Sequence, residues 1–288
     1  MRLASGAVAL LVFGLTMAAA IARGADRAAR IVAADTHLSL FAFCADGRTI
    51  VGREKNVSWL IDWPSGAARK AEPPVAGPPR PPCPTAALGY SPDGKWWATP
   101  GPLGVVLLRD GASGEISKTL PAHLDGANSA MFSPDGRYLA SSGGDNDVHV
   151  WDARNWEHKT TITSLTHTPF ALGWAPDGSV LYVAGASGTV TAWSAATWTL
   201  LHTSAPQRLA LNRLAVSPDG KMIATAGFNP DGESYPSSVF ILDAGSLTVR
   251  DSIAMPTSLG ALAFSPDGRS LLGLVRDQAG ITVWPMGR

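Results

Sequence analysis

Helical signal is nearly missing from this chain of 288 residues: beyond its N-terminus no long apolar stripe with a 3.6-residue period can be traced. Helical bundles and layered α/β folds are thereby excluded. Charge of one sign is missing too, since 23 basic residues balance 23 acidic ones. Phosphate backbones are gripped by a basic footprint, so nucleic acid is excluded as the main partner. Catalytic signatures are also lacking. There is no Gly-x-Ser-x-Gly elbow and no His-Glu-x-x-His. Gly89 to Lys95 nearly spells a phosphate-binding loop, but Trp96 replaces the required Ser/Thr and the surroundings read strand–turn–strand.

What is present is repetition. Cys-Ala-Asp-Gly at 44–47, Ser-Pro-Asp-Gly at 91–94, 133–136, 217–220 and 265–268, and Ala-Pro-Asp-Gly from Ala175 divide the chain. The aspartates are 46, 93, 135, 177, 219 and 267, at intervals of 47, 42, 42, 42 and 48. A period in the low forties means one supersecondary unit per copy. Proline presets the first turn dihedral and glycine accepts the left-handed conformation that closes a tight hairpin. Short apolar runs flank the turn, such as Ala130-Met131-Phe132 before it and Tyr138-Leu139-Ala140 after it. A third run follows (Val148–Trp151, Val190–Trp193) and then a shorter fourth (159–162, 200–203). Four antiparallel strands per repeat are the content of one propeller blade. The fold expected is all-β, a six-bladed β-propeller of four-stranded antiparallel blades.

The ends suggest how the ring closes. The last unit stops after its third strand, at 281–284, while Ala29–Ala33 precedes the first unit as a surplus strand. An unpaired edge is a liability that closure removes. Residues 28–33 are therefore expected to supply the outer strand of the last blade. Residues 1–22 read as a secretory signal peptide: Met1-Arg2, an apolar stretch and a small-x-small site at Ala20-Ile21-Ala22. A retained membrane anchor is the alternative. With cleavage, residues 23–288 form one domain without a membrane span, and the location expected is periplasmic or secreted. Export permits a disulfide between Cys44 and Cys83, the only cysteines. Strand ends place the two at opposite faces, which disfavours the bond.

The third unit resembles a WD repeat. Ala122-His123 stands where that family has Gly-His, and Trp151-Asp152 is the Trp-Asp ending. Ser141 and Asp145 fall where the family places polar partners of that His and Trp. The resemblance implies a buried hydrogen-bond network of His123, Ser141, Asp145 and Trp151. Other units keep less of it, with Ile61, Arg109, Trp193, Leu242 and Trp284 at the position of Trp151. TolB-like periplasmic propellers share Ser-Pro-Asp-Gly, and that resemblance implies a further alternative, an envelope-assembly role, which is weakened because their additional N-terminal α/β domain is not expected in this chain.

The functional reading is an exported, non-catalytic scaffold that binds a protein or peptide through loops of its top face, without a cofactor. The contact residues expected are Arg53, His123, Asp125, Phe228, Tyr235 and Arg276. Phe228 to Tyr235 is an insertion in blade five, where an idle loop and a partner loop fit equally. The proline-rich stretch 72–84 reads as an extended spacer between blades one and two. His37, His123 and His167 lie in connections on one face, but the expected metal content is none, because a zinc site needs three or four converging ligands. The rival is a lactonase-type hydrolase with a channel metal. Its inner-strand positions would be Ser39, Thr85, Asn128, Thr168, Asn212 and Ser258, of which only the two asparagines are credible ligands.

Overall fold

A computed structural model describes residues 29–287 apart from 45, 56, 72–88, 164 and 231–236. The leader segment, the whole proline-rich stretch 72–84 with Cys83, Thr85 and Tyr235 lie outside the described residues. Six antiparallel sheets are present, five with four strands and one with three among the described residues. No helix is long and apolar enough to cross a membrane.

Every copy of the repeated phrase builds the same turn. In four copies the first-position serine is buried and its hydroxyl donates to the turn aspartate: Ser91 to Asp93 at 2.7 Å, Ser133 to Asp135 at 2.6 Å, Ser217 to Asp219 at 2.7 Å and Ser265 to Asp267 at 2.6 Å. The same oxygen accepts from the amide that opens the next strand, as in Tyr138 N–H to Ser133 at 3.0 Å. A buried hydroxyl thus has both roles satisfied, and its donation holds the carboxyls of Asp93, Asp219 and Asp267 below the usual range. Where that serine is lost, Ser179 serves Asp177 and Thr49 serves Asp46. The closing glycines sit at φ of 62–73°, a conformation that costs other residues energy.

Blade three shows the order common to all. Its strands are Ala127–Phe132, Tyr138–Gly143, Val148–Asp152 and His158–Ile162, paired as a meander. Blade four repeats it with Pro169–Trp174, Val180–Gly185, Val190–Ser194 and Leu200–Thr203. Apolar side chains fill the wedges between consecutive sheets. Phe132, Leu139 and Trp151 of blade three meet Val106, Leu108 and Leu120 of blade two. Val148, Val150 and Ile162 meet Leu172, Leu181 and Trp193 of blade four. A tryptophan at positive φ drives into each of these wedges: Trp156 against Trp96 at 5.1 Å and Trp198 against Tyr138 at 5.0 Å.

The expected closure is present. Arg30–Val32 pairs with Ile281–Pro285 as Arg30↔Val283, Ile31↔Thr282 and Val32↔Ile281. Val32 then joins Phe41, Ile50 and Ile61 of blade one and Leu272, Leu274 and Val283 of blade six in one apolar cluster. The expectation for the cysteines fails: Cys44 is disulfide-bonded. Strand ends alone were a poor guide, because 38 residues separate the two cysteines, a span long enough to join any two points of one blade.

Candidate functional site

In each meander the Asp-Gly turns and the turns between third and outer strands share one end of the ring. The turns between second and third strands, together with the links between blades, share the other, the top face. One part of that face, the link Ala122–Gly126 into blade three, is fastened by buried side chains. His123 lies buried beneath it. Asp145, whose carboxylate can only accept, takes a hydrogen bond from His123 Nδ1 at 2.9 Å, and Ser141 Oγ meets His123 Nε2 at 2.7 Å. The Leu124 amide donates to the second Asp145 oxygen at 3.0 Å. Burial pushes the Asp145 carboxyl up, but the Leu124 amide and the His123 ring outweigh it and hold the group below its ordinary range. Nearby Asp147 is pushed up by burial and by the Asp145 charge.

Three of the four residues implied by the WD resemblance therefore share one hydrogen-bonded cluster. Trp151 takes part differently: its ring stacks near His149, centroids 5.7 Å apart, and no hydrogen bond joins its indole to Ser141. His123 was expected among the contact residues as well. Its side chain is fully covered, which removes it from direct contact and makes it the post under the link. The residues it displays are Leu124, 97% exposed, and Asp125, also exposed.

A second turn is fastened to the first. Pro102–Gly104, between the second and third strands of blade two, accepts the His123 amide on the Gly104 carbonyl at 2.8 Å. A β-carbon on Gly104, which sits at φ 76°, would collide with the His123 carbonyl. That close approach leaves Leu103 95% exposed at φ 56°. Two nearly naked leucines on coupled turns were missed in the sequence, where a single Leu among turn residues carries no signal. Elsewhere on the face Phe228 is exposed, with its ring 6.1 Å from Phe170. Arg276 is exposed, and Arg53 is half-buried with its Nε donating to the Lys55 carbonyl at 3.0 Å.

The inner strands face the channel, and two of their polar side chains bind the next blade. Asn128 Nδ2 donates to the Pro169 carbonyl at 3.0 Å, and Arg213 Nε to the Gly260 carbonyl at 2.7 Å. Burial, with the Arg276 charge adding to it, lowers the Arg213 pKa. Thr168 donates to Asn146 at 2.9 Å, and Ser39 to the Arg53 carbonyl at 3.1 Å. His37 and His167 are exposed and do not converge with His123. The histidines that do converge are His123, His149 and His158 of blade three, with ring centroids 4.9 Å and 5.4 Å apart along the series. Burial, then the charges of His123 and His158, bring the His149 pKa down to about 4.

Blade four lacks the post. Counting 42 residues on, Leu165 replaces His123, Val183 replaces Ser141 and Ser187 replaces Asp145. All three line a cavity of about 460 Å³ together with Thr189, Thr191 and Trp193. The Trp193 indole donates to Thr191 at 2.9 Å.

The family model described as WD domain, G-beta repeat matches residues 114–152, the stretch that holds His123, Ser141, Asp145 and Trp151. No curated protein matches the chain by sequence. Among solved structures, a chain of the mitotic checkpoint complex is similar at 24% identity and a TM-score of 0.63, with 88% of this chain and 79% of that one covered. The β-propeller domain of Cps50 (Swd1) from Myceliophteria thermophila gives 14% identity and a TM-score of 0.62, covering 88% and 97%. A chain of hydrazine synthase from Kuenenia stuttgartiensis gives 19% and 0.58, covering 66% and 56%. At such identities the likeness is one of fold. The chain has the fold of WD40 propellers, and its residues 114–152 are similar to a WD repeat.

Proposed function

We propose that this WD40-type propeller is an exported, non-catalytic scaffold that holds a protein or peptide partner on its top face. Propellers of this type are generally interaction scaffolds. The observation that carries the reading is the pair Leu103 and Leu124, each at least 95% exposed, on turns tied together by the His123–Gly104 bond. Large apolar groups displayed by a rigid support lose little freedom on binding, so they suit contact anchors. Asp125, Arg53, Phe228, Tyr235 and Arg276 would supply the polar and aromatic surroundings.

Export rests on the leader-like residues 1–22, and the disulfide at Cys44 agrees with an oxidising compartment. The test is affinity capture from the native envelope with the wild type, a Leu103→Asp/Leu124→Asp variant and a Phe228→Ala/Tyr235→Ala variant. Loss of a captured protein in either variant supports the face. Unchanged capture of every partner by both variants refutes it. N-terminal sequencing of the exported chain reads the cleavage site directly.

A further inference from the structure

The outer half of blade three holds a second polar cluster. His149 on the third strand and His158 at the start of the outer strand bring Nδ1 and Nε2 to 3.3 Å. Thr161 Oγ1 lies 3.2 Å from the first nitrogen and 2.9 Å from the second. We propose that this triangle is a binding site for a divalent transition-metal ion, with His149 Nδ1 and His158 Nε2 as ligands and the Thr161 hydroxyl completing the protein face.

The spacing fits an ion. Metal–nitrogen bonds of about 2.0–2.1 Å in a tetrahedral site separate neighbouring nitrogens by about 3.3–3.4 Å. The backbone sets this spacing. A bulge between Val150 and Trp151 shifts the register, so that His149 faces Thr161 and Trp151 faces His158. The His149 ring is fixed between His123, 4.9 Å away, and Trp151, 5.7 Å away, while His158 is exposed, leaving the ion and its waters a way in. Ligand atoms of His123, Asp145 and His149 also lie within 4.8 Å of one another. That trio is a poorer site, because both His123 nitrogens and both Asp145 oxygens are engaged in holding the link.

As a hydrogen bond the His149–His158 contact needs one protonated nitrogen. An ion needs both lone pairs, so binding moves that proton to the far nitrogen of the same ring and releases none. Two imidazoles and a hydroxyl suit copper, nickel or zinc, with copper(II) the tightest. Blade four has Thr191 and Leu200 at the two histidine positions and lacks the pair.

The purified full chain would be titrated with Cu²⁺ alone in a non-chelating buffer, followed by electron paramagnetic resonance and tryptophan fluorescence. The result expected is one ion per chain, hyperfine structure from two imidazole nitrogens and partial quenching through Trp151. His158→Gln and His149→Gln should each weaken binding at least about tenfold, with His37→Gln unchanged. His158 is exposed, so its variant should keep the fold and decides the matter if the His149 variant does not. Thr191→His/Leu200→His in blade four should add a second bound ion. Absence of saturable binding in the wild type, or unchanged affinity in the His158 variant, overturns the site.

Discussion

Blades three and four share a 42-residue period, a Pro-Asp-Gly turn and a third-strand tryptophan, Trp151 or Trp193. Under the top-face link, however, one is plugged and the other hollow. In blade three His123 descends between Ser141 and Asp145 and holds the Leu124 turn from below. In blade four Leu165, Val183 and Ser187 surround a cavity of about 460 Å³. Both blades form, so the network is not required for a four-stranded sheet. The strand cores do that work, through residues such as Leu139 and Leu181, which are fully buried. What the network adds is control over a loop: a polar post fixes where the turn points, whereas apolar packing fixes only that the sheet exists.

Three perturbations would break or sharpen that contrast. The largest effect is expected from His123→Ala, which leaves the buried Ser141 hydroxyl and the Asp145 carboxylate without their shared partner and should cost about 3 kcal/mol. Leu165→Ala, its counterpart at the cavity, should cost less than about 1 kcal/mol. Denaturant midpoints read both, and equal losses would mean that the network is ordinary packing.

Next comes a transplant. Leu165→His/Val183→Ser/Ser187→Asp would install the blade-three residues in blade four and should stabilise the protein by roughly 1 kcal/mol through the added bonds. A loss of similar size would show that the blade-four link follows a path the histidine cannot use.

The smallest effect is an acid one. The folded Asp145 carboxyl lies below its ordinary 3.8, so the unfolded chain binds protons first as the pH falls. Its contribution is complete above about pH 4 and is lost as the pH drops through the folded value. Asp145→Asn should make the acid limb of the stability curve shallower and leave the curve near pH 7 to 8 parallel to the wild type. An identical acid limb would remove Asp145 from the account.

The ring was legible because its grammar is local. Each Asp-Gly turn carries its own hydrogen bonds within five residues, so six copies announce six sheets, and the surplus strand at Arg30–Val32 had one vacancy to fill. The network was legible as a resemblance in three of its members. His123 was given two roles, of which burial leaves one, since a side chain bonded on both nitrogens cannot also face a partner. The His149–His158 pair escaped notice because their meeting depends on a register shift between Val150 and Trp151, which spacing along the chain does not reveal. The same shift recurs between Leu108 and Arg109, between Ala192 and Trp193 and between Ile241 and Leu242, so it belongs to the blade, and among the described residues only blade three brings a pair of histidines together across it. The disulfide at Cys44 was misjudged for a related reason: 38 residues of separation along the chain say little about distance in space.

The pairing of Arg30–Val32 with Ile281–Pro285 has a consequence for biogenesis. Synthesis delivers those two segments at opposite times, the earliest and the latest of the described strands. Individual meanders can assemble as they emerge, yet the circle stays split until the tail arrives and is then held by a splice of three residue pairs. That seam is where opening should begin under heat or pulling force, and a chain shortened before Ile281 would have nothing for its head to grasp.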